Sequence, residues 1–181
     1  HLTRNQQQDL LASFHKCEEL FSGTLGTVPG VLVNLELKPG SQPYFSKPYK
    51  IPQVMANIAR KEVEELARIG ILEKNRPTSW GAPCPFRPKK DEGVRFITDF
   101  RKLNECLVQR PHPMPNMDEL LFDIQGFTYA TCFDLNRGHC HFHLNEKSKE
   151  LCGIVLLWGH CDCAVLPQGM MMSSDICQGH M

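Results

Sequence analysis

Residues 95–104 read RFITDFRKLN, and residues 128–143 read TYATCFDLNRGHCHFH. The first stretch has the pattern of a short strand running into a turn. The second is rich in threonine and aromatic residues as far as Asp134, a composition that favours a strand, and then turns to histidines at 139, 141 and 143. Between them, Asn116 can cap a helix with Glu119 in the capping-box position, and Gly126 can end it.

Working outward, residues 82–100 read as two short strands around a Lys-Asp-Glu-Gly turn, a hairpin with basic flanks. Residues 53–69 predict an amphipathic helix with Val54, Ile58, Val63, Leu66 and Ile69 as its apolar stripe. Glu64 and Arg68 stand at i,i+4, and Gly70 suits the C′ position. Residues 4–21 predict a further amphipathic helix. Residues 31–37 place Val31, Val33, Leu35 and Leu37 on one face of a strand. Downstream, residues 150–167 give two strands joined near Trp158 and Gly159, and a helix is expected from Ser173. The order predicts an α+β protein with mostly antiparallel pairing. In it, residues 128–134 pair with strands from 151–166. Proline-rich residues 43–52 mark a soft boundary.

The 181 residues suffice for a hydrophobic core, and 41% hydrophobic with 22% charged residues is ordinary for a globular chain. Twenty acidic residues balance twenty basic ones. Any phosphate contact therefore rests on local clusters, not on an overall basic surface. The longest apolar run, residues 153–159, is strand-sized, and the N-terminus has no signal-peptide core, so no membrane association is expected. Nine cysteines without such a signal imply reduced thiols and an intracellular location, cytoplasmic or particle-associated.

RFITDFRKLN, PMPNMDELLFDIQGFTYATCFDLNRG and VLPQG together resemble reverse transcriptases (RNA-directed DNA polymerases) of gypsy-like long-terminal-repeat retrotransposons. The resemblance runs from about Leu37 to the end. It takes in the KPYKIP lead-in, the VEELARIGILEKNRPTSWGAPCPF segment and the PKKDEGVRF hairpin. It implies fingers (46–127) and a partial palm (128–181), truncated before the second catalytic motif. Residues 1–45 would be a leader between protease and polymerase in a retroelement polyprotein.

The same resemblance implies a template-directed nucleotidyltransferase working on an RNA template, a DNA primer and deoxynucleoside triphosphates. Two Mg²⁺ (or Mn²⁺) ions roughly 3.5–4 Å apart would serve that chemistry. Asp134 matches the first catalytic aspartate, and the Leu135 carbonyl would be a further metal ligand. Lys89 and Arg95 match residues that grip the incoming triphosphate, work suited to a compact ammonium and a forked guanidinium. Gln168 matches a nucleotide contact for which many retrotransposon members carry an apolar residue. His139 stands where the family has an aromatic ring beneath the deoxyribose. Asp99, Phe100, Arg101, Leu103 and Asn104 match a motif that builds the fingers–palm junction.

Cysteine and histidine replace aromatic residues at several family positions (His139, Cys140, Cys161, Cys163, Cys177), which suggests an element decaying without selection. The Tyr-x-Asp-Asp motif falls outside these residues, so the chain by itself is expected to be inactive. The alternative is a non-catalytic nucleic-acid-binding or zinc-binding module derived from a retroelement. For zinc, His139, His141 and His143 would share one side of a strand, completed by Cys161 and Cys163.

Overall fold

The computed structural model describes residues 2–74, 77–89, 93–124, 126 and 131–180. Helix α1 (Arg4–Lys16) starts at a capping box in which Thr3 and Gln6 satisfy each other's backbone N–H groups. It buries none of its residues, and Phe14 near its C-terminus meets Phe21 edge to face at 5.4 Å. Its apolar stripe is real but has no core beneath it.

After β1 (Leu32–Val33) comes the longest helix, α2 (Gln53–Arg68). It ends in a Schellman motif. The Ile71 N–H donates to the Leu66 carbonyl at 2.9 Å, the Gly70 N–H donates to Ala67 at 3.1 Å, and Gly70 sits at φ +79°. The packed face differs from the expected stripe. Ala59 and Leu66 are buried, whereas Val54 and Ile58 are exposed. Successive helical residues turn by about 100°, so positions 59, 62, 63 and 66 share a face from which 58 lies to one side and 54 points largely away. The surface ion pair also shifts by one residue, with Arg68 gripping Glu65 through two 2.7 Å bonds in place of Glu64.

The main sheet has four strands in the order β2 (Leu72–Lys74), β8 (Gly159–Cys163), β7 (Gly153–Leu156) and β3 (Ala82–Pro83). Strands β7 and β8 form the expected antiparallel pair, and β2 adds to β8 in the same sense, while β3 runs parallel to β7. Every residue of β7 is buried, the mark of a strand covered on both faces. The hairpin β4 (Phe86–Pro88) and β5 (Val94–Phe96) also forms as read, with the Lys89 N–H donating to the Gly93 carbonyl at 2.8 Å. Asp91 and Glu92 of its turn lie outside the described residues. Helices α3 (Arg101–Cys106) and α4 (Met117–Asp123) follow, the latter capped by the Asn116 side chain. No helix among the described residues is long and apolar enough to cross a membrane.

One expected pairing is absent from the described residues. Residues 131–135 are exposed and belong to no strand, and 128–130 lie outside the described residues. The reason is topological. Strand β8 is already flanked by β2 and β7, and β7 by β8 and β3, so neither later strand offers a free edge.

The 31–38 segment is woven into the core. Strand β1 pairs in parallel with β6 (His143–Leu144), which leads into α5 (Glu146–Leu151). The Leu35 N–H donates to the fully buried Ser148 hydroxyl at 2.8 Å, and the Val108 N–H donates to the Glu36 carbonyl at 2.8 Å. Val33 and Leu35 join Leu107, Leu144, Ile154, Val165 and Leu166 in one core. Each such side chain contributes roughly 1.5–3 kcal/mol by leaving water. Cys152, Cys161 and Cys163 sit in the same core as small hydrophobes. The chain closes with α6 (Ser173–Gln178), the helix expected from Ser173.

Candidate functional site

A cleft of about 510 Å³ opens between α2, the β4–β5 hairpin and the loop after β8. That is within the usual range for a small-molecule site. Its base is apolar, with Leu66, Leu72 and Val165. Its polar lining brings together Lys89 and Arg95 from the hairpin, Gln168 from the loop, Arg137, and one carboxylate, Glu62. The hairpin register sets Arg95 opposite Arg87, a like-charge pair that favours an anion or water between the guanidinium groups.

The loop bearing Gln168 is fixed from three sides. Asn104 at the end of RFITDFRKLN donates to the Gly169 carbonyl at 3.1 Å and accepts from the Met171 N–H at 3.0 Å. The Ser173 hydroxyl donates to the Pro167 carbonyl at 2.7 Å. Gly169 adopts φ +86°, where a side chain would be strained. The adjacent Asp99 accepts two bonds from the Arg101 guanidinium, at 2.6 and 2.8 Å, which hold its carboxyl below the usual carboxylate range. This motif therefore ties the β4–β5 hairpin to the loop that lines the cleft.

Asp134 and Leu135 lie apart from that lining. Both are exposed at the end of the 131–135 segment, whose Phe133 ring stands 6.4 Å from Phe21. Among the described residues Asp134 has neither an ion pair nor a hydrogen bond, so its carboxylate is available as a ligand. His139 does not line the cleft either. It lies in the 3₁₀ turn Gly138–His141, with Nδ1 2.8 Å from the Cys177 Sγ.

The other histidines diverge. His141 Nε2 is 3.0 Å from the Asn136 carbonyl oxygen, and His143 Nε2 is 3.1 Å from the Thr27 hydroxyl. A turn occupies residues 138–141, so the strand periodicity that would align 139, 141 and 143 is broken. Cys161 and Cys163 are buried in β8, where desolvation raises both thiol pKa values, that of Cys161 to about 12. Among the described residues, no three His, Cys, Asp or Glu side chains gather as a metal site. The zinc arrangement weighed as the alternative does not form among the described residues.

Arg137 is the cationic lining residue that the sequence does not announce. It follows Asp134-Leu135-Asn136 and has φ +52°, the one positive value outside glycine among the described residues. A basic residue next to a candidate metal ligand was the available signal. Arg68, by its hydrogen bonds, lowers the Glu65 carboxyl pKa, with a lesser pull from Arg137. The Arg137 charge thus also reaches the α2 side of the cleft.

No protein-family model matches the chain. Among curated proteins, it is 29% identical over 136 residues to the retrovirus-related Pol polyprotein of transposon 297 from Drosophila melanogaster, an alignment covering 72% of the chain and 13% of that protein. The Pol polyprotein of transposon opus is 25% identical, with 93% of the chain and 19% of the relative covered. The gypsy polyprotein is 26% identical, with 76% and 14% covered. The chain thus spans less than a fifth of the length of these relatives. Among solved structures, a prototype foamy virus protease–reverse transcriptase (a mutant) superposes with TM-score 0.83 at 21% identity, over 98% of the chain and 24% of that protein. A foamy viral protease–reverse transcriptase in complex with an RNA/DNA hybrid gives TM-score 0.80 at 16% identity, covering 99% and 24%. The chain is a homologue of the Pol polyproteins of gypsy-type and other retrotransposons and has the fold of a reverse-transcriptase fragment.

Proposed function

We propose that this chain is the nucleotide-gripping part of a retroelement RNA-directed DNA polymerase, with residues 46–127 as fingers and 128–181 as partial palm. The observation that supports this best is the convergence of Lys89, Arg95 and Gln168 on one cleft beside the reverse-transcriptase junction motif. Two cations on a hairpin and an amide on a clamped loop suit a triphosphate on one side and a base or sugar on the other. Nucleic acid is the second partner, since the foamy viral relative is described with an RNA/DNA hybrid.

In the parent enzyme, Mg²⁺ or Mn²⁺ would polarise the primer hydroxyl and the leaving pyrophosphate. Asp134 suits one ligand position, being an exposed carboxylate without a competing cation among the described residues, and the Leu135 carbonyl adjoins it. The described residues do not fit a complete two-metal site, because no group of three or more His, Cys, Asp or Glu side chains gathers among them. In this reading further carboxylates of the parent enzyme, in a Tyr-x-Asp-Asp motif, would complete the site, and the cleft of this chain grips the nucleotide. The remainder of the polyprotein is then an obligate partner.

Calorimetric titration of the chain with thymidine triphosphate tests the proposal. Replacing both Lys89 and Arg95 by alanine removes charge-assisted bonds worth about 1.5–3 kcal/mol each, so affinity should fall at least about a hundredfold. Equal affinity of the double variant and the parent chain would overturn the assignment of the cleft.

A further inference from the structure

We infer that Arg137 is a third phosphate-gripping residue of the cleft, reaching the triphosphate from the palm side while Lys89 and Arg95 hold it from the hairpin. This rests on the nucleotide-cleft reading above and adds to it a contact specific to this chain. Three observations carry it. Arg137 lines the same cleft as Lys89, Arg95 and Gln168 but is mounted on a different element, the turn after Asp134. Its guanidinium is exposed and, among the described residues, takes part in no hydrogen bond or ion pair, so its fork of donors is open to a ligand. Its backbone holds φ +52°, a region that side chains other than Asn, Asp and Gly rarely adopt, although Gly138 stands next in sequence. Strained backbone of this kind concentrates at ligand clamps, where a fixed side-chain direction compensates for the strain.

The electrostatics agree. Three cations face one lining carboxylate, Glu62, with Glu65 nearby on α2 already occupied by Arg68. The overall charge of the chain is zero, so this excess is local. A guanidinium matches two phosphate oxygens at once, and a chain of three phosphoryl groups has enough oxygens to engage the hairpin and the palm turn together. The phosphodiester backbone of a nucleic acid offers the same chemistry, but with one charge per residue spread along a strand. Three cations around one small cleft favour the compact triphosphate.

The test is titration of the chain with inorganic tripolyphosphate, and separately with an RNA–DNA hybrid, each at two salt concentrations. Arg137→Gly removes the cation while suiting the backbone, so its unfolding midpoint should not fall; Arg137→Asn is a second neutral variant that tolerates the same φ. Tripolyphosphate affinity should drop about tenfold in both and recover in part in Arg137→Lys. Hybrid affinity should change less than tripolyphosphate affinity. Unchanged tripolyphosphate binding in Arg137→Gly and Arg137→Asn, alongside weakened binding in the Lys89/Arg95 double variant, overturns the role of Arg137 and leaves the cleft reading intact. A loss confined to the hybrid assigns Arg137 to backbone phosphates and also overturns the inference. If the unaltered chain fails to bind tripolyphosphate, both the cleft reading and the inference fall.

Discussion

Replacing Asn104 by alanine should loosen the loop that presents Gln168. The side chain makes two bonds there, one to the Gly169 carbonyl at 3.1 Å and one from the Met171 N–H at 3.0 Å. A neutral hydrogen bond contributes a net ~0.5–1.5 kcal/mol, so losing two should cost about 2 kcal/mol. For a chain of this size, that lowers the thermal midpoint by roughly 4–8 °C. Urea unfolding should show the same loss as a shift in midpoint at constant slope. Amide hydrogen exchange gives the local readout. The Met171 N–H should exchange faster in Asn104→Ala but stay protected in Asn104→Asp, which keeps the acceptor and loses only the donor. A stability change below about 0.5 kcal/mol, typical of an uninvolved surface site, with unaltered Met171 exchange, would refute the clamp.

Ser148→Ala should cost about 1–3 kcal/mol in urea unfolding, because it strands the Leu35 N–H in the core; a neutral result would mean that residues 31–37 are not docked as described. Iodoacetamide at mildly alkaline pH should modify the exposed Cys17 and Cys132 in the native chain, while Cys84, Cys152, Cys161 and Cys163 react only after unfolding. Burial moves the Cys84 thiol from 9.0 to about 12 and Cys161 likewise to about 12. The unfolded chain therefore loses these protons first, and stability present below pH 9 should decline as pH rises toward 12. Unfolding midpoints that rise over that interval would contradict the buried neutral thiols.

What could be read from sequence was whatever is encoded locally. Gly70 announced the end of α2 because its position needs left-handed backbone, and the β4–β5 hairpin announced itself through alternation around a turn. The β7–β8 pair was legible for the same reason, its two strands lying next to each other in the chain. The parallel pairs β1–β6 and β3–β7 were not, since parallel partners lie far apart and leave no short-range signal. Residues 131–135 have strand composition, yet the sheet edges they would use are already filled. Of the polar residues lining the cleft, Lys89, Arg95 and Gln168 were reached through motif resemblance. Arg137 was missed because arginine is not a residue that signals left-handed backbone. The zinc reading failed on one intervening turn, which sent His139, His141 and His143 to three separate neighbours.

The weaving of residues 31–38 into the core has a consequence for the birth of the chain. Leu35 and Ser148, joined in the finished fold, are separated by 113 positions. A ribosome adding roughly 5–20 residues per second leaves Leu35 waiting on the order of 5–25 s for that partner to emerge. For that interval Val31, Val33, Leu35 and Leu37 form an apolar strand with no neighbour to cover it, the kind of segment that invites association with other nascent chains. The order of translation therefore leaves this segment uncovered until residues 143–148 emerge, and holdase chaperones would meet it before its own sheet does.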